Sequence, residues 1–309
     1  MRHLDVLPET TLVCGALRAV LAPAAGGRIS ALYSDFTGTS QQRIDWLQPL
    51  DESVRTRGFD STAWPKAGLY PLVPYSNRIA QGHFEWDGRQ VQLPLHPGES
   101  HALHGGSQQR PWALTQYSER SATMVYTHAA GDDGWPWPYH AEHAVTLDDQ
   151  GAALRLQITS TGDTPMPCGA GFHPCFPARF SARVGFSATT VWPPDAQFLG
   201  TAPQPAAAAD DYRAARAVPE AELTQYYSDW DGRATLSARD GARILLTADK
   251  ALRHLVLYRP AGRDFFCVEP VSHVSNAVHL TAQGHDATGW STLAPGQVLT
   301  CHLRMALSA

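Results

Sequence analysis

Lysine is almost missing from this chain: Lys66 and Lys250 are the only two, and arginine carries nearly all the positive charge. Basic residues number 24 against 29 acidic ones, for a net charge of -5. That leaves no basic surplus to release phosphate counterions, so nucleic acid is not expected as a partner. Long apolar runs are missing too. No stretch reaches the ~18 residues of a membrane-spanning helix, and no membrane partner is expected. Cysteine is sparse and unpaired in pattern. Cys14, Cys168, Cys175, Cys267 and Cys301 form no CxxC motif, and an odd count fits ordinary reduced thiols. The opening segment, Met1 to Leu12, lacks the basic-then-apolar order of a secretory signal. A cytoplasmic protein with all five thiols reduced is the expectation.

What the chain does have is material for a large β core. Apolar residues make up 43% and charged residues 17%, which excludes a disordered chain. The 25 glycines and 23 prolines fit many strands joined by turns. Short period-two runs recur, among them Thr11–Val20, Gly82–Trp86, Arg89–Leu93, His140–Leu147, Ala152–Thr159, His254–Tyr258 and Phe265–Val268. Asp87-Gly88 and Asp240-Gly241 stand between such runs as hairpin turns. The pattern predicts an all-β fold of antiparallel strands, two sheets packed face to face. Pro205–Leu223 is Ala-rich and allows a short helix, interrupted by Pro219. No Pro/Ser/Gly linker divides the chain, so residues 1–309 are read as a single domain.

Four clusters set titratable side chains beside Gly or Pro and between strand-like runs, where functional groups often sit. They are Tyr70 to Ile79, His101 to Gly106, Gly169 to Phe176, and Val268 to His273 with Asn276. Each residue also has a plain reading. Arg78 alone is most often a surface or ion-paired arginine. His101 and His104 have metal-pair spacing only on a helix, and Gly105-Gly106 argues for a loop; no third ligand has a specific spacing, so no metal site is predicted. His173, between Phe172 and Pro174, reads first as a structural histidine. Glu269 is the odd one, a carboxyl at the end of the apolar run Phe265 to Val268, where burial is costly. Burial raises a carboxyl toward neutrality and makes it a candidate general base.

Taken together and in this order, the clusters resemble the aldose 1-epimerase (galactose mutarotase-like) family over nearly the whole chain. Asn77-Arg78-Ile79, His101-Ala102-Leu103-His104-Gly105, Gly171-Phe172-His173-Pro174-Cys175-Phe176 and Val268-Glu269-Pro270 are similar to its N-R-I, H-x-L-H-G, G-x-H-x-Y-F and E-P motifs. Gly26-Gly27-Arg28-Ile29, the Asp87-Gly88 turn and Leu293-Ala294-Pro295-Gly296 extend the likeness. Cys175 stands where the family motif has Tyr.

The resemblance implies a single-domain β-supersandwich with a sugar groove across one sheet face. It implies an aldose 1-epimerase that interconverts the α and β anomers of a free aldose without metal or organic cofactor. Carried over, Glu269 is the general base at the C1 hydroxyl and His173 the general acid at the ring oxygen. Arg78, His104 and Asn77 hold sugar hydroxyls, and Cys175 lines a widened groove. Independently of the likeness, ring opening moves one proton off O1 and one onto O5, which needs one deprotonated and one protonated group. The family's sugar-binding Asp is replaced by Thr224 or Gln225, so the preferred sugar need not be galactose. Two alternatives stand beside this reading: a hexose-6-phosphate 1-epimerase, with Arg179, Arg253 and Arg259 as its cations, and a non-catalytic carbohydrate-binding protein of the same fold. A glycoside hydrolase would need a second carboxylate facing Glu269. The expected partner is a small-molecule sugar, and the expected state a monomer or weak homodimer.

Overall fold

The computed structural model describes residues 7–36, 43–57 and 66–308; residues 1–6 of the opening segment lie outside this set. Two large antiparallel sheets dominate. Five strands at the middle of the first carry the site: β1 (Leu69–Leu72), β2 (Gly171–Pro177), β3 (Leu223–Ser228), β4 (His254–Arg259) and β5 (Phe265–Val271). Their spatial order is β1-β2-β5-β4-β3. Strands Arg28–Ser34, Leu17–Ala22 and Thr10–Cys14 continue the sheet beyond β1, and Thr190–Trp192 and Gln204–Pro205 continue it beyond β3. The second sheet has eight strands and is centred on Tyr139–Asp148, Gly151–Ser160 and the long Val298–Ser308.

Alternation decides what each sheet face does. Phe172 and Phe176 of β2, Phe266 and Val268 of β5, and Leu255 and Leu257 of β4 point into the main core. There they join Val145, Leu154, Leu156, Ile158 and Leu303 of the second sheet. Burying such a phenylalanine fully is worth roughly 1.5–3 kcal/mol. The intervening residues must then face the other side of the first sheet. These are His173 and Cys175 on β2, and Cys267 and Glu269 on β5. That second face is itself covered by loops, which is why β2 and β5 are buried along nearly their whole length.

Two elements depart from the expectation. The run Thr11–Val20 is a hairpin, Thr10–Cys14 and Leu17–Ala22, because Gly15 turns the chain with φ 57. The Ala-rich segment after Pro205 contains no helix. It has no apolar stripe to bury; instead Tyr212 anchors it by stacking on Phe186. The Asp87-Gly88 hairpin is present as read, with φ of 50 and 72 at the two turn residues. Among the described residues no helix is long and apolar enough to cross a membrane.

Candidate active site

The register of the first sheet lines its outer face up in rows. Tyr70 pairs with His173, Glu269 with Val256, and Val256 with Tyr226. Gly171 pairs with Val271 and Cys175 with Cys267, so His173 and Glu269 stand opposite each other between those two pairs. One row therefore reads Tyr70, His173, Glu269, Val256, Tyr226. The row beside it reads Cys175, Cys267, Tyr258, Thr224. Pro174 and Pro270 have no N–H to give, and the ladder between β2 and β5 is interrupted where His173 meets Glu269.

His173 Nε2 lies 3.4 Å from Glu269 Oε1, with both side chains 3% exposed. The ring of His173 stacks on Tyr70 at 4.5 Å and meets His104 edge-on at 5.2 Å. Glu269 Oε2 is buried and has no hydrogen-bond partner among the described residues. Burial pushes the Glu269 carboxyl up to about 8, against the smaller opposing pull of Lys66 and Arg78. Burial, with Lys66 and Arg28 adding to it, holds His173 well below its ordinary value. The proton of the pair thus rests on Glu269 in the ligand-free site. Both groups are taken out of water, and burial favours the neutral form of each.

His104 comes from a loop shaped by backbone strain. Asn77 and His104 both take left-handed φ, 56 and 61. The His104 N–H donates to Asn77 O at 2.9 Å, and the Asn77 N–H donates to His104 Nδ1 at 2.8 Å. Nδ1 is an acceptor, so the proton of neutral His104 sits on Nε2. Gly105 follows because a Cβ there would stand 2.5 Å from Val73 O. Burial, then the neighbouring His173, keeps His104 neutral, well below its ordinary value. Arg78 is gripped by both oxygens of Glu99, at 2.8 Å each, and its guanidinium lies 5.1 Å over the Phe198 ring. Burial opposes its charge, and the Glu99 carboxylate outweighs that and holds it ionised.

These side chains line one cavity of about 150 Å³ with Asn77, Thr224 and Tyr258. Arg78, His104, His173 and Glu269 are brought together there. Two other candidates are not. Cys175 is fully buried beneath the floor, its Sγ 3.9 Å from His173 Nδ1 and 3.7 Å from Cys267 Sγ, so it does not line the groove. Gln225 points to the opposite side of β3 and donates to Asp210 at 2.9 Å. Alternation leaves the neighbouring Thr224 on the cavity side. His101 turns away from His104 and accepts from the Gln81 N–H at 3.1 Å. The arginines read as phosphate cations also lie elsewhere: Arg179 pairs with Asp240, Arg259 with Ser181, and Arg253 lines a separate cleft.

Val256 and Tyr258 of β4 escaped the sequence reading as lining residues, and so did four others: Lys66, Glu99, Phe198 and Glu222. These four sit on loops outside the motif clusters, and Lys66 reaches across to donate to the Tyr258 hydroxyl at 2.9 Å. Glu99 carried one usable signal, its place two residues before the His101–Gly105 motif.

The E. coli K12 protein YphB, itself uncharacterized, is 28% identical over 77% of this chain and 83% of its own length. A crystal structure of an E. coli K12 protein superimposes with a TM-score of 0.83 at 25% identity, covering 97% of this chain and 99% of that one. A galactose mutarotase-like protein from Clostridium acetobutylicum shares the fold, with a TM-score of 0.83 at 17% identity over 98% of this chain and 99% of its own. Residues 46–306 match the family model for aldose 1-epimerase, a span that holds all four motif clusters and every lining residue of the cavity. The chain belongs to the aldose 1-epimerase family.

Proposed function

We propose that this protein is a mutarotase acting on a free aldose, with Glu269 and His173 as its proton-transfer pair. The observation that carries the proposal is the pair itself: a buried carboxyl and a buried imidazole 3.4 Å apart on the floor of a polar cavity. Ring opening needs one proton taken from O1 and one delivered to O5. A pair with a single proton does both.

Sugar hydroxyls donating to Glu269 favour its ionised form, and its proton crosses to His173. The Glu269 carboxylate then takes the proton of the C1 hydroxyl, and His173 gives its proton to O5. The C1–O5 bond breaks as the C1 carbonyl forms. The pair is left with a protonated Glu269 and a neutral His173, the distribution that burial favours. Low polarity around the pair therefore assists the opening step. After rotation about C1–C2 the same transfers run backward and close the ring on the other face. Such acid–base assistance contributes roughly 10²–10⁴-fold. Neutral His104 donates from Nε2 to a sugar oxygen, and Arg78, fixed by Glu99, donates to another. Glu222 and Thr224 line the wall where the family's Asp is missing, and offer acceptors to further hydroxyls.

The free sugar is favoured over a hexose 6-phosphate because Arg78 is already neutralised by Glu99 and Glu222 adds a second acidic group. The presence of both members of the pair favours catalysis over binding alone. Polarimetry of freshly dissolved aldoses is the test: faster approach to anomeric equilibrium than the buffer blank is expected, and none on any common hexose, pentose or deoxysugar would sink the proposal.

A further inference from the structure

The row of residues beneath the cavity floor has a chemistry that proton transfer does not use. A ring nitrogen of His173, Cys175 Sγ and Cys267 Sγ lie within 4.8 Å of one another, all buried, and the nitrogen that faces Cys175 is Nδ1. We propose that this trio is a binding site for a thiophilic d¹⁰ divalent cation of the Zn²⁺ class, and that occupancy switches off the proton pair above it.

The distances suit such an ion. Zn–S bonds of about 2.3 Å at tetrahedral angles put two sulfurs about 3.8 Å apart, and a Zn–N bond of about 2.0 Å puts nitrogen and sulfur about 3.5 Å apart. The sulfurs here are 3.7 Å apart, the Cys175 Sγ to His173 Nδ1 distance is 3.9 Å and the third edge is within 4.8 Å, so side-chain movements of up to about 1 Å close the site. The placement follows from the fold rather than from a motif. Cys175 and Cys267 are a directly opposed cross-strand pair, and Cys175 is two residues from His173 on the same face of β2. Charge balance also fits. Two thiolates cancel the charge of a divalent ion, and a neutral unit is what a fully buried position tolerates. Three protein ligands leave the fourth position for water.

Binding would displace the two thiol protons and move the His173 ring proton from Nδ1 to Nε2. With its Nδ1 lone pair on the metal, His173 must carry its single ring proton on Nε2, and it cannot accept another there. The transfers at Glu269 then stop. Inhibition rests on the proposed role of His173; metal binding itself does not.

The test is a titration of the full chain, chelator-stripped and kept under a non-thiol reductant, with Cd²⁺ and Zn²⁺ as probes. One equivalent of Cd²⁺ is expected to raise an ultraviolet thiolate-to-metal charge-transfer band, release two protons and be displaced by Zn²⁺. Zn²⁺ is expected to halt mutarotation in step with occupancy. Cys267→Ala is expected to lose the band and weaken binding by roughly 100-fold or more, while mutarotation stays within about twofold and becomes Zn²⁺-resistant. No band in the native chain, or a band that persists in Cys267→Ala, overturns the site. If the variant does not fold, X-ray absorption of the Zn²⁺-loaded native chain decides: two sulfurs with nitrogen support the site, and a sulfur-free ligand set refutes it. A chain with no mutarotase activity that still shows the band would leave the metal site standing and remove the proposed function.

Discussion

His173 and Glu269 face each other across adjacent antiparallel strands, Nε2 to Oε1 at 3.4 Å, at the point where two prolines interrupt the ladder between them. Glu269 Oε2 has no hydrogen-bond partner among the described residues. The fold buries a carboxyl and an imidazole against each other on the floor of the cavity. The expectations below follow from that relationship.

Removing either member should act on turnover. Glu269→Gln keeps shape and cannot take a proton; His173→Asn keeps a polar group and cannot deliver one. Each is expected to lower kcat by roughly 10²-fold or more with KM nearly unchanged. The double variant should be little worse than either single one, because the two act as a unit. Additive losses, measured by polarimetry, would show that they act separately.

Activity should be bell-shaped in pH, since the pair works only while it holds one proton. Loss of that proton gives an alkaline limb near 8, the value to which burial lifts Glu269. Entry of a second proton gives an acid limb below the ordinary histidine range, because burial lowers His173. The two limbs belong to the pair rather than to either residue. A profile still rising at pH 9 would contradict this assignment.

Stability should depend on the same carboxyl. The folded chain holds the Glu269 proton up to about 8, whereas an unfolded chain releases it near 4.5. Between those values the folded state binds more protons, so stability falls as pH rises through that window. The full effect is roughly 5 kcal/mol as an upper figure. Burial of His104 and His173 works the other way, removing stability as pH falls below the histidine range. Glu269→Gln should therefore flatten the decline above the histidine range and steepen the loss below it, where the two opposing effects overlap. Denaturant melts of both proteins across pH 5 to 9 are the check.

Glu99 is expected to be a positioning residue. Its two hydrogen bonds to Arg78 are charge-assisted and half-shielded from water, and Glu99→Gln loses that grip. KM should rise about tenfold, in line with a lost charged hydrogen bond of about 1.5 kcal/mol, while kcat stays within about threefold. Equal losses in kcat would instead place Arg78 in the chemistry.

The fold class was legible because strand alternation and Asp-Gly turns are local signals. The four polar clusters were legible because Gly and Pro mark the strand ends and loops that carry them. Which neighbour faces the cavity was not. Thr224 and Gln225 are adjacent, and only the pairing of Thr224 with Tyr258 shows which one shares the face of Glu269. Cys175 shares that face and still misses the cavity, since the cavity reaches its row only at the Tyr258 and Thr224 end, and the Cys175 end is fully buried. Lys66 and Glu222 come from loops whose approach is set by tertiary packing. The resting place of the proton was also hidden, because it depends on how completely both groups are buried.

The most direct test of the central claim is anomer exchange followed by magnetization-transfer NMR on equilibrated free aldoses, for the native chain and Glu269→Gln side by side. The native chain should exchange the α and β signals of at least one aldose well above the buffer rate, and the folded Glu269→Gln variant should be slower by roughly 10²-fold. A folded Glu269→Gln variant that exchanges anomers at the native rate would contradict the account.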